Sequence, residues 1–297
     1  MRKALFGAVG ALSLAAFVAA GCLSTSSSPQ AAAASQPITK VLVFVEENHS
    51  LAQMKSGMPY AYRLAKRYGY ATNYTATTHP SLPNYIAMAS GRTYGVRDDL
   101  NPSAHKLTGA SVFGRAIAAG KTAATYADGM PSNCALTKGG SSYVPKHNPW
   151  AYFVNERALC RKYDLPISKL GSAITHVTLP NVGMVIPNLR HDAHDGSLGT
   201  ADAWFRGWMT KIVAGPDWAS GRLAIVLTAD EDNRLSRNKV LTIVMHRSQR
   251  AKVVTTPLTH YSLARLFAEI SATKPLHLAA TAPSMVKAFG LPIASAP

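Results

Sequence analysis

The run Val41-Leu42-Val43-Phe44-Val45 passes without a break into Glu46-Glu47-Asn48, and the reading of this stretch decides the fold. A continuous apolar run suits a strand buried on both faces, the habit of parallel sheets. The pattern recurs twice. Val182-Gly183-Met184-Val185-Ile186 leads to Pro187-Asn188, with His191, Asp192, His194 and Asp195 just beyond, and Leu223-Ala224-Ile225-Val226-Leu227-Thr228 leads to Asp230-Glu231-Asp232. In open α/β sheets ligands sit in the crevice outside the carboxyl ends of the strands. Three distant segments therefore bring hard oxygen ligands to one edge, which is how a chain builds a divalent-cation site and points to metal-assisted hydrolysis.

Between these strands the sequence alternates with helices. Residues 59–68 read as a helix stopped by Gly69, and Pro83 to Ser90 as another, with Pro in its first turn and Gly91 after its last. Ser111 caps a helix to Ala119, followed by a short strand over 122–127; residues 128–180 read as loop-rich. Thr200 is expected to cap a helix to Ala214, strands follow at 223–228 and 240–245, and a helix from Tyr261 to Ile270 closes the order. The fold class is α/β, a mainly parallel central sheet flanked by helices.

The chain has 297 residues, 47% of them apolar, and a formal charge of +16 spread along its length. Such a charge steers anionic substrates such as phosphate esters or phospholipid head groups. Nucleic acid is the competing partner, but no zinc finger, RNP-like aromatic motif or basic helix is present, so none is expected. Arg2 and Lys3 precede an apolar stretch from Ala4 to Ala20 that ends at Gly21-Cys22, the form of an export signal. The expected organisation is a signal peptide over 1–21, a polar tether over 22–36 and one domain over 37–297, exported and secreted or held at the cell membrane. Cys22 resembles the acceptor of a lipid anchor, although Ala19 stands where Leu is usual; cleavage near Ala32 to Ala34 is the alternative. With Cys22 acylated or removed, Cys134 and Cys160 are left as an even pair, which in an oxidising compartment reads as a disulfide. Closing a loop of about 26 residues contributes roughly 3.5 kcal/mol in the chain-entropy model.

Ser81, in Thr78-His79-Pro80-Ser81-Leu82-Pro83-Asn84-Tyr85, stands where a helix begins. Taken alone it is more readily a cap accepting a backbone N–H than a nucleophile. The neighbouring carboxylates tip the balance: a metal held by Glu47, Asn48, Asp230 and Glu231 could also hold the Ser81 oxygen and lower its pKa, with the helix N-terminus steadying the phosphoryl oxygens. Oxygen ligation favours one Ca²⁺, Mg²⁺ or Mn²⁺ over Zn²⁺. His191 and His194, three apart beside Asp192 and Asp195, leave a second, zinc-like site as the less favoured alternative. Glu46 is expected to point away from Glu47, as neighbours at a strand end do.

Val45-Glu46-Glu47-Asn48-His49-Ser50, the Thr78–Tyr85 run, Lys146-His147-Asn148-Pro149-Trp150, Ile186-Pro187-Asn188, Asp192-Ala193-His194-Asp195-Gly196-Ser197, Asp202-Ala203-Trp204 and Asp230-Glu231-Asp232 together resemble the bacterial phosphoesterase family. That family holds secreted acid phosphatases and phospholipases C of alkaline-phosphatase-like fold. The resemblance implies that Glu47, Asn48, Asp230 and Glu231 ligate a single metal and that Ser81 is both ligand and nucleophile. It makes His147 and His194 candidates for binding phosphate or protonating the leaving group, with Asn84 a further phosphate contact. Asn233 departs from the acidic or Gly residue expected after Asp-Glu-Asp. The expected activity is phosphomonoester hydrolysis of the acid phosphatase kind, phosphoinositides among its candidate substrates, through a phosphoserine. The rivals are a phospholipase C-type phosphodiesterase and a non-enzymatic anion-binding lipoprotein. A serine esterase is disfavoured, because the chain has no Gly-x-Ser-x-Gly elbow.

Overall fold

A computed structural model describes residues 36–140 and 142–294. The signal peptide, the tether up to residue 35 and Cys22 lie outside the described residues. The strands are β1 (Lys40–Glu46), β2 (Gly69–Ala71), β3 (Tyr74–Thr75), β4 (Ala123–Ala127), β5 (Asp164–Pro166), β6 (Val182–Ile186), β7 (Leu223–Ala229), β8 (Thr242–Met245), β9 (Lys252–Val254) and β10 (Leu258–Thr259). An eight-stranded sheet runs in the order β5-β4-β6-β1-β7-β8-β2-β9, while β10 and β3 form a small separate pair. Only β8 runs antiparallel to its neighbours β7 and β2. The three apolar runs are adjacent in space: β1 is flanked by β6 and β7, all parallel and buried on both faces.

Register then sets the site. Glu46 lies beside Ala229, so Glu47 and Asp230 leave the sheet side by side, with the Asp230 N–H donating to the Glu46 carbonyl at 3.0 Å. The chain after β6 turns back beneath them, where the Glu47 N–H donates to the Asp192 carbonyl at 2.9 Å.

The helices that matter here are α1 (Leu51–Gly57), α2 (Pro59–Arg67), α3 (Ser81–Ser90), α4 (Val112–Ala118), α5 (Arg157–Tyr163), α6 (Ser168–Thr175), α7 (Leu198–Ala214), α8 (Pro216–Ala219) and α9 (His260–Ile270). Ser111 caps α4 as expected. The helix expected from Pro83 begins two residues earlier, at Ser81, and ends on Gly91, whose φ of 76° is left-handed and suits glycine. The cap of α7 is Ser197, not Thr200: the Ser197 hydroxyl accepts from the Thr200 N–H at 3.1 Å. Residues 128–180 are more ordered than expected, holding α5, β5, α6 and three 3₁₀ turns. Cys134 and Cys160 are joined as a disulfide, both buried. Among the described residues no helix is long and apolar enough to cross a membrane.

Candidate active site

The carboxyl edge of β1 and β7 and the start of α3 meet at a cavity of about 380 Å³ lined by Asn48, Ser81, Asp99, Lys146, His194, Glu231 and Arg234 among others. Ser81 is the decisive residue on its floor. The residue before α3, Pro80, supplies no side-chain cap, and the Ser81 hydroxyl donates to Glu47 Oε1 rather than accepting from the helix. The cap reading therefore fails. The sequence-predicted ligands gather round this contact. Asn48 Nδ2 donates to Glu47 Oε1 at 3.2 Å, its backbone N–H to Asp230 Oδ1 at 3.1 Å, and the Glu231 N–H also reaches Asp230 Oδ1, at 2.6 Å.

His147 does not face the cavity. Its ring is buried, stacked on Tyr85 with centroids 5.0 Å apart, and its nitrogens lie 3.2 Å from Glu47 Oε2 and 3.1 Å from Asp192 Oδ2. Burial works against its proton, but the Glu47 charge and the Asp192 contact outweigh it and push the pKa up to about 9. Glu47 is correspondingly held below the usual carboxylate range: burial would raise it, and the His147 charge, with Lys146 and Ser81 helping, lowers it. The expected phosphate contact of His147 is thus replaced by a grip on Glu47.

Two further expectations are corrected. Asn84 is fully buried and its amide is already committed: Oδ1 accepts from the Thr77 and Thr78 N–H groups, and Nδ2 donates to the Thr78 and Pro80 carbonyls and to Glu231 Oε2 at 3.1 Å. It braces the approach to Ser81 instead of meeting phosphate. The helix N-terminus also offers fewer donors than expected. The Leu82 N–H is taken by Asp99 Oδ1 at 2.9 Å, and Pro83 has no N–H.

His194 stands on the cavity wall, its ring centroid 6.3 Å from that of His147 and its Nδ1 2.6 Å from Asp195 Oδ1. His191 turns elsewhere, to Asp128 Oδ2 at 2.6 Å and against Trp204, so the His191/His194 pair does not converge on a zinc-like site. Glu46 shares none of Glu47's side-chain contacts; it is fully buried with no hydrogen bond, and burial, then Asp192 and Asp202, push its pKa well up. Of the basic residues, Lys146 and Arg234 line the cavity, while Arg190 lines another.

Sequence reasoning missed Asp99, which bridges the Leu82 N–H and Lys146 Nζ at 3.0 Å. It also passed over His79, whose ring lies 3.0 Å from Glu231 Oε2 and 3.3 Å from Asp232 Oδ1. His260 is buried with Nε2 2.5 Å from the Asp230 carbonyl and Nδ1 3.1 Å from the Tyr74 hydroxyl. No local pattern announces these pairings, because each partner lies far off in the chain.

The donors fit a divalent cation. Asp230 Oδ2 is buried with no hydrogen-bond partner, while Glu47 Oε2 meets only the His147 ring, at 3.2 Å. Burial, then repulsion from Glu47 and Glu231, raises Asp230 well above its ordinary value; burial, then repulsion from Glu47, raises Glu231 to about 8. Crowded oxygen donors in this state lack a positive charge. The trio Glu47, His147 and Asp192 also lies close enough to ligate, with both His147 nitrogens already facing its two carboxylates. The cluster of Cys134, Cys160 and Asp164 has its sulfurs joined to each other.

The model of the phosphoesterase family matches residues 44–235, which include Glu47, Ser81, His147, His194, Asp230 and Glu231. The chain belongs to the phosphoesterase family. This phosphoesterase is 29% identical over 266 residues to a phosphatidylinositol-3-phosphatase of Mycobacterium tuberculosis, covering 88% of the chain and 86% of that protein. It is 30% identical to a phosphate-repressible acid phosphatase of Penicillium chrysogenum over 68% of the chain, and 29% identical to an acid phosphatase of Aspergillus fumigatus over 59%. It spans only 51% and 41% of those fungal proteins. Among solved structures, a protein of the alkaline phosphatase superfamily from Vibrio parahaemolyticus superposes with a TM-score of 0.59 at 8% identity, covering 81% of this chain and 68% of the other. A sulfatase from Pseudoalteromonas sp. gives 0.50 at 10% identity over 87% and 73%. At such identities these two speak for the fold, which is alkaline-phosphatase-like. The phosphoesterase is an enzyme, a phosphoric ester hydrolase.

Proposed function

We propose that the enzyme hydrolyses phosphate monoesters through a phosphoserine at Ser81, with one divalent metal held by Glu47, Asn48, Asp230, Glu231 and the Ser81 oxygen. The observation that carries this reading is the Ser81 hydroxyl turned away from its helix and onto Glu47 at the floor of the cavity. When bound, the metal would lower the Ser81 pKa and offset the crowded carboxylates.

Ser81 Oγ attacks phosphorus in line; the Oγ–P bond forms as the bond to the leaving alcohol breaks. Glu47 Oε1, which already accepts the Ser81 hydrogen bond, orients Oγ toward phosphorus, and the Ser81 proton leaves to solvent. His147 keeps Glu47 ionised for that task. Lys146 and Arg234 hold the non-bridging oxygens, a part assigned in the sequence to the helix N-terminus, whose Leu82 N–H is engaged by Asp99. His194 protonates the leaving oxygen, and water then releases phosphate from Ser81. The substrate class is a phosphomonoester on an alcohol, phosphoinositides included, a reading supported by the mycobacterial relative's name. Export, with a lipid anchor at Cys22, would place the enzyme where such esters are met outside the cytoplasm.

Hydrolysis of p-nitrophenyl phosphate with and without EDTA, alongside Ser81→Ala, tests the reading. Activity lost in both cases is expected. Turnover of bis-p-nitrophenyl phosphate but not of the monoester would replace it with the phosphodiesterase reading. A pH–rate profile rising into strongly alkaline solution would remove the protonated histidine from the mechanism.

A further inference from the structure

A second pocket, of about 320 Å³, opens at the opposite edge of the sheet and is lined by Arg67, Tyr68, Trp218, Arg247, Gln249 and Arg250. Its place follows from topology. Arg67 and Tyr68 precede β2, Trp218 precedes β7, and Arg247 to Arg250 follow the antiparallel β8, so all lie at the end of the sheet away from the carboxyl end of β7, beside which the catalytic cavity opens.

Three features make this more than a basic surface. First, no carboxylate lines the pocket, and among the described residues none of the three arginines is paired with one. The nearest acid in sequence, Asp217, is already held by Lys40 at 2.8 Å. Second, the guanidinium groups are fixed before any ligand arrives. Arg247 Nη1 donates to the Ala219 carbonyl, Arg250 Nη1 to the Arg247 and Gln249 carbonyls at 2.6 and 2.7 Å, and the Arg67 guanidinium lies 5.2 Å from the Tyr68 ring centroid. Third, Gln249 is only 4% exposed and its carbonyl oxygen is buried with no hydrogen-bond partner, while its amide nitrogen donates to the Phe289 carbonyl at 3.0 Å. Tyr68 and Trp218, packed edge to face at 5.6 Å, form the buried wall. A buried acceptor without a donor is costly unless a ligand supplies one.

We propose that this pocket is a non-catalytic binding site for a phosphoryl group that carries a hydroxyl. The arginines take the anionic oxygens, where planar guanidinium forks suit phosphate. The hydroxyl, whether a protonated phosphate oxygen or a neighbouring polyol O–H, donates to Gln249 Oε1. Fixed arginines lower the ordering cost of binding. The same chemistry is offered by free phosphate and by an anionic phospholipid head group, and the site is independent of the metal and of Ser81.

The test uses the metal-loaded protein and the exposed pair Arg67→Ala and Arg250→Ala, with an unchanged thermal melt as the check on folding. Titration calorimetry with inorganic phosphate is set against sulfate, which has the same shape but no proton at neutral pH. Cosedimentation uses phosphatidylcholine vesicles with and without phosphatidic acid. Loss of one bound phosphate in the double variant, with sulfate held about tenfold more weakly than phosphate at that site, assigns the pocket to a free phosphate compound. Cosedimentation that needs phosphatidic acid and falls at least tenfold in the double variant assigns it to a membrane head group. Phosphate and vesicle binding that are both unaffected by the substitutions overturn the proposal. So does phosphate binding that fails to discriminate against sulfate without any vesicle binding. Because the readout is binding, an inactive enzyme would leave this test intact.

Discussion

At the carboxyl edge of the sheet Glu46, Glu47, Asp192, Asp230 and Glu231 are all buried, whereas at the amino edge Arg67, Arg247 and Arg250 stand exposed around their pocket. The acidic edge takes charges out of water, which costs several kcal/mol for each ion left uncompensated. His147 and Lys146 answer part of that charge and a metal would answer more. The basic edge leaves its charges hydrated and steadies Arg247 and Arg250 with backbone carbonyls, so it stands at little cost without a ligand. The fold should therefore be sensitive to changes at the first edge and indifferent to changes at the second.

Ser81→Ala should separate chemistry from stability most sharply. We expect kcat to fall by about 10⁴-fold or more, with a loss in urea of only about 1–2 kcal/mol, that of one hydrogen bond to the Glu47 carboxylate. His147→Ala should strike the fold instead, costing roughly 3–5 kcal/mol because two buried carboxylates lose their cation. Its pH signature follows from the direction of the shift. The His147 pKa is raised on folding, so its contribution is complete below the ordinary histidine value and is lost as pH rises through about 9. Urea titrations in EDTA should show that alkaline loss in the wild type and not in the variant.

A smaller effect of opposite sign is expected from Asp230→Asn. Folding raises the Asp230 pKa, so the carboxyl destabilises the metal-free protein at any pH above the ordinary aspartate range. The amide should stabilise that form at neutral pH by about 1–3 kcal/mol, while abolishing turnover. Metal should then raise the Tm of the wild type but not of the variant. A destabilised Asp230→Asn protein would break the contrast between the edges. The smallest effect belongs to Arg67→Ala, within about 0.5 kcal/mol of wild type, read by the same unfolding curves.

How much of this was legible follows the range of the interactions. The continuous runs ending in Glu46-Glu47-Asn48 and Asp230-Glu231 were enough to place β1 and β7, and with them two of the segments that supply the site. Gly91 marked a real helix end. Helix α1 was passed over although its capping box, Ser50 with Gln53, lies in the sequence. The three-residue strands β2 and β9 carry too little pattern to be seen. Asp192 was noticed only as part of the His191/His194 cluster, while its actual partner, His147, is remote in sequence. Asn84 looked like a phosphate contact because it belongs to the Ser81 motif; its position there serves the backbone of residues 77–80.

The disulfide between Cys134 and Cys160 encloses Lys146 and His147 in a covalent ring. Both sulfurs are buried, Cys160 completely. A reductant in solution therefore meets the bond only after the fold has opened, and the segment carrying the buried imidazolium is tethered once, during maturation. The ring gives the enzyme a memory of the conditions under which it folded: the tether of the Glu47–His147 pair is inherited from an oxidising moment rather than renegotiated at each turnover.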